Sequence, residues 1–207
     1  MKNRLTPETY QLALQDLANR EPIFDRIQQQ YGPPPMWNRP AGFPTLIHII
    51  LEQQVSLASA AAAYRKLLEA VSPLTPASFL TLDDATLKTV GFSRQKTAYG
   101  RYLAEAILYK KLDLEALSEM EPDETRAALM AVKGIGHWTS DIYLLMVLLH
   151  ADIWPRGDLA LAKAVQKALV LEHYPAVNEL EEMSTAWKPW RAVAARLFWF
   201  DYLEGRE

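Results

Sequence analysis

Apolar residues recur at helical spacing through most of the chain. In RQKTAYGRYLAEAILYKK, Tyr99, Tyr102, Leu103, Ala106 and Ile107 fall on one face, which predicts an amphipathic helix. WTSDIYLLMVLLH repeats the spacing through Ile142, Leu145, Met146 and Leu149. DLALAKAVQKALVL does so through Leu161, Ala162, Val165, Ala168 and Leu169. PWRAVAARLFWFDYLEG predicts a helix with Pro189 at its first position and an end near Gly205. The run LIHIILEQQVSLASAAAAYRKLLEAV is apolar on most sides, so part of it is expected to be buried centrally. No segment shows the alternation of strands joined by hairpin turns. The pattern predicts an all-α fold.

Proline clusters interrupt this pattern. GPPPMWNRPAGFP, residues 32–44, reads as an irregular connection between an N-terminal helical pair and the central helices. ADIWPRGD, residues 151–158, is a second break. There is no internal repeat, and the alanine run at 60–63 fits a helix surface against which neighbours pack closely. A length of 207 residues suits one compact domain or two small lobes sharing a cleft.

Composition narrows the class. Hydrophobic residues make up 50% and charged residues 23%, enough apolar material for a core in an ordinary globular protein. The chain has no cysteine, which excludes disulfides, thiolate zinc sites and cysteine-ligated iron–sulfur clusters. The opening MKNRLTPETYQLALQDL lacks the apolar centre of a signal peptide, and Leu46–Leu51 and Ile142–Leu149 are too short to span a bilayer. A soluble, cytoplasmic protein is expected, nucleoid-associated if the source is bacterial. The net charge of −3 speaks mildly against a nucleic-acid partner, but its distribution is uneven. Lys88, Arg94, Lys96, Arg101, Lys110 and Lys111 stand against Glu105 alone, while the following LDLEALSEMEPDE carries six acids and no base. That segregation is compatible with one basic face and equally with ordinary solvated helices.

The sharpest local feature is Val132-Lys133-Gly134-Ile135-Gly136-His137-Trp138-Thr139, set between a helical lead-in and a strongly apolar helix. Two glycines one residue apart permit a tight turn and leave the backbone bare on one side. Amide groups beside a helix N-terminus then make a cradle for phosphate, though a plain helix–helix turn would carry the same glycines. About twenty residues on comes Trp154-Pro155-Arg156-Gly157-Asp158-Leu159-Ala160, with Asp158 where a loop enters the next helix. Asp158 reads as an N-cap, as a carboxylate at the mouth of a cleft, or as both, since a cap position keeps an aspartate ionised.

VKGIGHWTSDIYLL followed by DIWPRGDLAL resembles the helix-hairpin-helix DNA glycosylase superfamily, whose signature is hairpin, Gly/Pro-rich loop and catalytic aspartate. LIHIILEQQVSLASA is similar to that family's early helix and strand-penetrating loop, and VGFSRQKTAYGRYLAEAI to the segment before its basic helix. WKPWRAVAARLFW resembles the end of the alkylpurine (3-methyladenine) glycosylase II branch. The resemblance covers roughly residues 42 to 203, and four motifs in order are far more specific than any one.

The resemblance implies a role for each matching position. Asp158 would stabilise the oxocarbenium-like sugar and direct water as the base departs. Gly134 and Gly136 would grip phosphate, with a structural Na or K ion at the hairpin carbonyls as an option and no other metal or cofactor required. His137, Thr139, Lys133 and Lys96 are the further candidates for the DNA backbone. Gln54, flanked by Gln53 and Val55, would enter the duplex and fill the gap left by a flipped nucleotide. Bifunctional members carry a lysine where this chain has Trp138, so no Schiff base and no lyase step are expected, and the indole can instead stack on a cationic alkylated base. Trp199 matches a second pocket tryptophan. The branch's tyrosine one turn past Trp138 is replaced by Ile142, leaving Tyr143 as the adjacent pocket candidate, and the tyrosine after the catalytic aspartate is replaced by Leu159. No counterpart of the extra N-terminal β-domain of longer members is recognisable.

Residues outside those motifs read plainly. His48 lies on an apolar helix as a core histidine, the four histidines lack metal spacing, and Asp141 and Asp152 read as surface or turn residues. The expected architecture is a two-lobed helix-hairpin-helix glycosylase fold. Residues 43–154 would form a central lobe with the hairpin near 132–139, and 1–42 plus 155–207 a second lobe, the active site lying in the cleft between them. The expected protein is a monomer acting on double-stranded DNA with damaged bases. It would hydrolyse the N-glycosidic bond of alkylated purines such as 3-methyladenine and 7-methylguanine. The rival readings are a glycosylase of the same fold for deaminated or oxidised bases, and a non-catalytic DNA-binding module.

Overall fold

A computed structural model of the chain describes residues 4–205, and among them the fold is all-helical. Two helices come first, α1 (Pro7–Arg20) and α2 (Pro22–Tyr31). Seven follow: α3 (Phe43–Glu52), α4 (Leu57–Ala70), α5 (Pro76–Leu80), α6 (Asp84–Val90), α7 (Arg94–Leu108), α8 (Pro122–Met130) and α9 (His137–Met146). The chain ends with α10 (Leu159–Leu169), α11 (Val177–Ser184) and α12 (Arg191–Glu204). Contacts group these into two units. Of the described residues, one holds 4–38 together with 144–205, and the other holds Arg39–Tyr143. No helix among the described residues is long and apolar enough to cross a membrane.

In the Arg39–Tyr143 unit, α3 is buried on nearly every side, from Phe43 through Leu46, Ile47, Ile49, Ile50 and Leu51 to Glu52. The long apolar run is therefore two helices, broken by a turn at residues 53–56. On α4 only Ala60, Ala63 and Leu67 are buried. The alanines allow a close approach: a side chain at Gly91 would sit 2.9 Å from the Ala63 Cβ. Gly91 also ends α6 in the left-handed conformation (φ 111°), which glycine adopts without steric cost. Ser93 then caps α7 by accepting from the Lys96 amide.

The other unit is centred on α12 and on the aromatic side chains of Phe24, Trp154, Trp187 and Phe198, whose ring centroids lie 5.0–5.8 Å apart in edge or tilted contact. Its largest fully buried side chain is Arg196. Among the described residues, no carboxylate pairs with Arg196. Its Nε, Nη1 and Nη2 each donate at 2.8 Å to a backbone carbonyl, of Met36, Ala192 and Leu145 respectively. Burial lowers its pKa to about 10, opposed by the Tyr10 hydroxyl, which is itself pushed up to about 12 by burial. One helix start departs from the pattern: α12 begins at Arg191, because Pro189 lies in the preceding turn behind a cis Lys188–Pro189 bond.

Candidate functional site

The hairpin between α8 and α9 closes on backbone bonds from the Val132 amide to the Leu129 carbonyl and from the Ile135 amide to the Val132 carbonyl, each 3.1 Å. Its two glycines serve different ends. Gly134 has φ +98° and packs against the ring of Tyr99, into which any Cβ would run. Gly136 has no such φ, and a Cβ there would meet nothing within 4 Å. No internal packing accounts for a glycine at 136. A bare backbone there leaves the N-terminal turn of α9 accessible, where peptide dipoles favour an anion. His137 and Lys133 are exposed beside it, the Lys133 ammonium lying 5.1 Å from the centroid of the Tyr102 ring. Trp138, in the first turn of α9, is partly exposed.

The turn between α3 and α4 separates two residues that the sequence places together. Gln54 adopts φ 56° and its side chain is exposed, as is Val55. Gln53 points to the hairpin instead. Its Nε2 donates to the Gly134 carbonyl and to the Thr139 hydroxyl, both at 3.0 Å. Two expectations are thereby corrected. Gln53 is not a duplex-entering side chain, because both amide hydrogens already have acceptors. The Thr139 side chain is not a phosphate ligand, since it is 1% exposed and accepts from Gln53. Lys96 is likewise drawn inward: its Nζ donates to the Leu51 carbonyl at 2.7 Å, and burial lowers its pKa. Arg101 is engaged by the Leu82 carbonyl at 3.1 Å and by Asp84 at 2.6 Å.

Three further positions in this unit differ from expectation. Tyr143 is completely buried, so it offers no surface to a base, and burial raises its pKa against a smaller opposing effect of the Gly42 backbone. Asp141 is no surface residue: it is 2% exposed and accepts from the Arg126 Nε at 2.9 Å. His48 is half-buried rather than wholly in the core. It stacks on Tyr64 at 4.3 Å and lies 3.7 Å from Glu52, which Arg39 grips through two bonds of 2.9 Å. Burial lowers the His48 pKa, with Glu52 opposing. No cluster of His, Asp and Glu among the described residues could hold a metal ion. Three hairpin carbonyls accept from protein donors, Val132 from the Ile135 amide, Gly134 from Gln53, and Gly136 from the Ser140 amide and hydroxyl.

In the other unit, the loop after α9 delivers Asp158 to the start of α10. Trp154 anchors it in the aromatic cluster and Ile153 is buried. Gly157, at φ +76°, turns the chain where an ordinary side chain would be strained. Asp158 then caps α10, its Oδ1 accepting from the Leu161 amide at 2.6 Å, and only 9% of the residue is exposed. One carboxylate oxygen is thus fixed by the start of the helix. Leu159 beside it is exposed, and Trp199 on α12 is 9% exposed. Asp152, expected in a turn, holds Arg191 through side-chain bonds of 2.6 and 3.0 Å. Tyr99, Arg126 and Arg196 carry no motif that would have singled them out, because each acts through a partner distant in sequence.

Comparison with known proteins places these features in context. The family profile described as HhH-GPD superfamily base excision DNA repair protein matches residues 47–191. The alkylbase DNA glycosidase-like protein mag2 of Schizosaccharomyces pombe is 26% identical over 197 residues, 92% of each chain. The DNA-3-methyladenine glycosylase of Bacillus subtilis is 23% identical over 213 residues, 96% of this chain and 68% of that one. The solved S. pombe 3-methyladenine DNA glycosylase, in complex with abasic DNA, is similar in fold with a TM-score of 0.83 at 23% identity, over 90% of this chain and 94% of that one.

Proposed function

The chain belongs to the HhH-GPD superfamily of base excision DNA repair proteins, and on that footing we propose that it is a monofunctional DNA glycosylase for alkylated purines. The observation that carries the reading is Asp158, a nearly buried carboxylate with one oxygen held by the Leu161 amide at a helix N-terminus. As the glycosidic bond breaks, positive charge develops on the sugar, and a fixed carboxylate stabilises it without having to reorganise. The cationic purine leaves as the neutral base, taking the bonding electron pair, and water adds to C1′ and loses its proton to the solvent. A cationic N-alkylated base is already a good leaving group, so the reaction needs little acid assistance. Relatives whose names specify alkylbase or 3-methyladenine chemistry support that substrate class.

Trp138 carries no amine, so no Schiff base with the sugar forms at that position and the product is an intact abasic strand. Its indole and that of Trp199 are suited to electron-poor bases. The hairpin, with Gly136 bare and Lys133 and His137 exposed, would bind phosphate without reading sequence, as a repair enzyme requires. Gln54 would occupy the gap left by the extruded nucleotide. The partner is double-stranded DNA with damaged bases, met by a monomer in the cytoplasm, and no step is assigned to a cation or cofactor.

The test is base release from methylated duplex DNA by the wild-type chain and by Asp158→Asn, with abasic sites scored before and after alkali. Release by the wild type, lowered at least about a hundredfold in the variant and giving breaks only after alkali, is expected. Breaks before alkali would overturn the monofunctional reading. Binding without any release would overturn the catalytic one.

A further inference from the structure

We propose that Gln53 is a positioning residue that clamps the Gln54 turn to the hairpin, so that the side chain entering the duplex and the backbone gripping its phosphate move as one piece. This rests on the glycosylase reading and adds a residue that acts through others. The geometry is specific. A single amide nitrogen bridges the Gly134 carbonyl and the Thr139 hydroxyl, thereby touching both the hairpin tip and the first turn of α9. The hairpin end of the clamp is itself rigid, because Gly134 is packed on Tyr99 and Thr139 is buried. Just before the turn, Lys96 holds the Leu51 carbonyl near the end of α3.

Gln54 follows directly on these two anchors at φ 56°, a conformation that L-residues with side chains adopt at a cost and that persists where the surroundings over-determine it. Held so, its side chain is exposed before DNA arrives, and the backbone that carries it needs no further ordering on binding. Gln53 suits the clamp in kind as well as length. A glutamate of the same shape would set a carboxylate against the Gly134 carbonyl, and an alanine would leave that carbonyl and the Thr139 hydroxyl without the bridge.

The experiment compares the wild type with Gln53→Ala and Gln53→Glu on one alkylated purine in two settings, fully paired and within an unpaired bulge. Duplex insertion matters where the stack must be held open, and little in the bulge. Both variants are expected to lower kcat on paired DNA by about ten- to a hundredfold, with KM nearly unchanged and a much smaller loss on the bulge. Equal losses on both substrates would mark Gln53 as merely structural and overturn the clamp, as would no loss on either. Circular dichroism melting of each variant checks that the fold is intact. A duplex with 2-aminopurine next to an abasic-site analogue separates the clamp from the chemistry. Wild type should brighten it by unstacking and Gln53→Ala should not, even if no alkylated base is ever released. Equal brightening by both overturns the clamp while leaving the glycosylase reading untouched.

Discussion

The ring of Tyr99 lies so close against Gly134 that no Cβ fits between them, whereas the equivalent direction from Gly136 opens onto solvent. The two glycines of one hairpin therefore separate packing from the proposed grip on phosphate. Gly134→Ala should destabilise the chain by about 2–4 kcal/mol through overpacking at a left-handed position. For a chain of this size that corresponds to a melting temperature lowered by roughly 5–15 °C. Gly136→Ala should change stability by less than about 0.5 kcal/mol. Its new methyl group points where a phosphate would lie, so DNA binding should weaken. Calorimetry and fluorescence anisotropy on both variants check the contrast. Equal melting temperatures would contradict the packing argument.

Asp158 caps a helix and, in the proposed reading, also serves the reaction, and two substitutions divide those duties. Asparagine caps a helix about as well as aspartate, so Asp158→Asn should retain nearly all stability while losing about 10²–10³-fold or more in kcat. Asp158→Ala should lose the same activity and in addition about 0.5–2 kcal/mol of stability. Urea unfolding alongside single-turnover base release distinguishes the two.

Arg196 has neither a carboxylate partner nor access to water, so its replacement strips three buried carbonyls of their donor. Arg196→Met should cost about 2–4 kcal/mol, the unsatisfied acceptors outweighing the relief of charge burial. The depressed pKa fixes the pH dependence. Up to about pH 10 both folded and unfolded chains carry the charge, so the difference between variant and wild type should be flat through the neutral range. Denaturant titrations from pH 6 to 9 would show this, and a slope across that range would contradict it.

The acid side is governed in part by His48. Its pKa is lowered in the fold, so between the folded value and the usual 6.5 the unfolded chain binds more protons and stability rises with pH. This contribution should be complete above the usual histidine range and be lost as pH falls through the folded value. His48→Gln should flatten that limb in stability measurements between pH 5 and 8.

The helices were legible because their period is local. The hairpin and Asp158 were legible from the order of several motifs, since two glycines between helical segments would alone fit a plain turn. The parts that escaped are relations between distant residues or depend on a single dihedral. Gln53 and Gln54 are chemically identical, and only φ 56° at the second sends one to the hairpin and the other to solvent. Asp141 reads as a surface acid until Arg126, fifteen residues earlier, is seen to cover it. Arg196 interrupts an apolar helical pattern, and nothing in its neighbourhood names carbonyls at Met36 and Leu145 as its acceptors. The start of α12 shifted because Pro189 belongs to the turn rather than to the helix.

The inward course of Lys96 and Arg101 bears on how this chain would meet DNA. Each exposed cation that neutralises a phosphate frees about one condensed counterion, and that release sets how fast affinity falls with salt. Two of the six basic residues between 88 and 111 are held by a backbone carbonyl and, for Arg101, by an acid as well. The count of lysines and arginines therefore overstates the counterions displaced. A binder built on backbone amides and a few exposed cations, within an acidic chain, holds DNA with a shallow dependence on ionic strength and lets go of undamaged stretches readily.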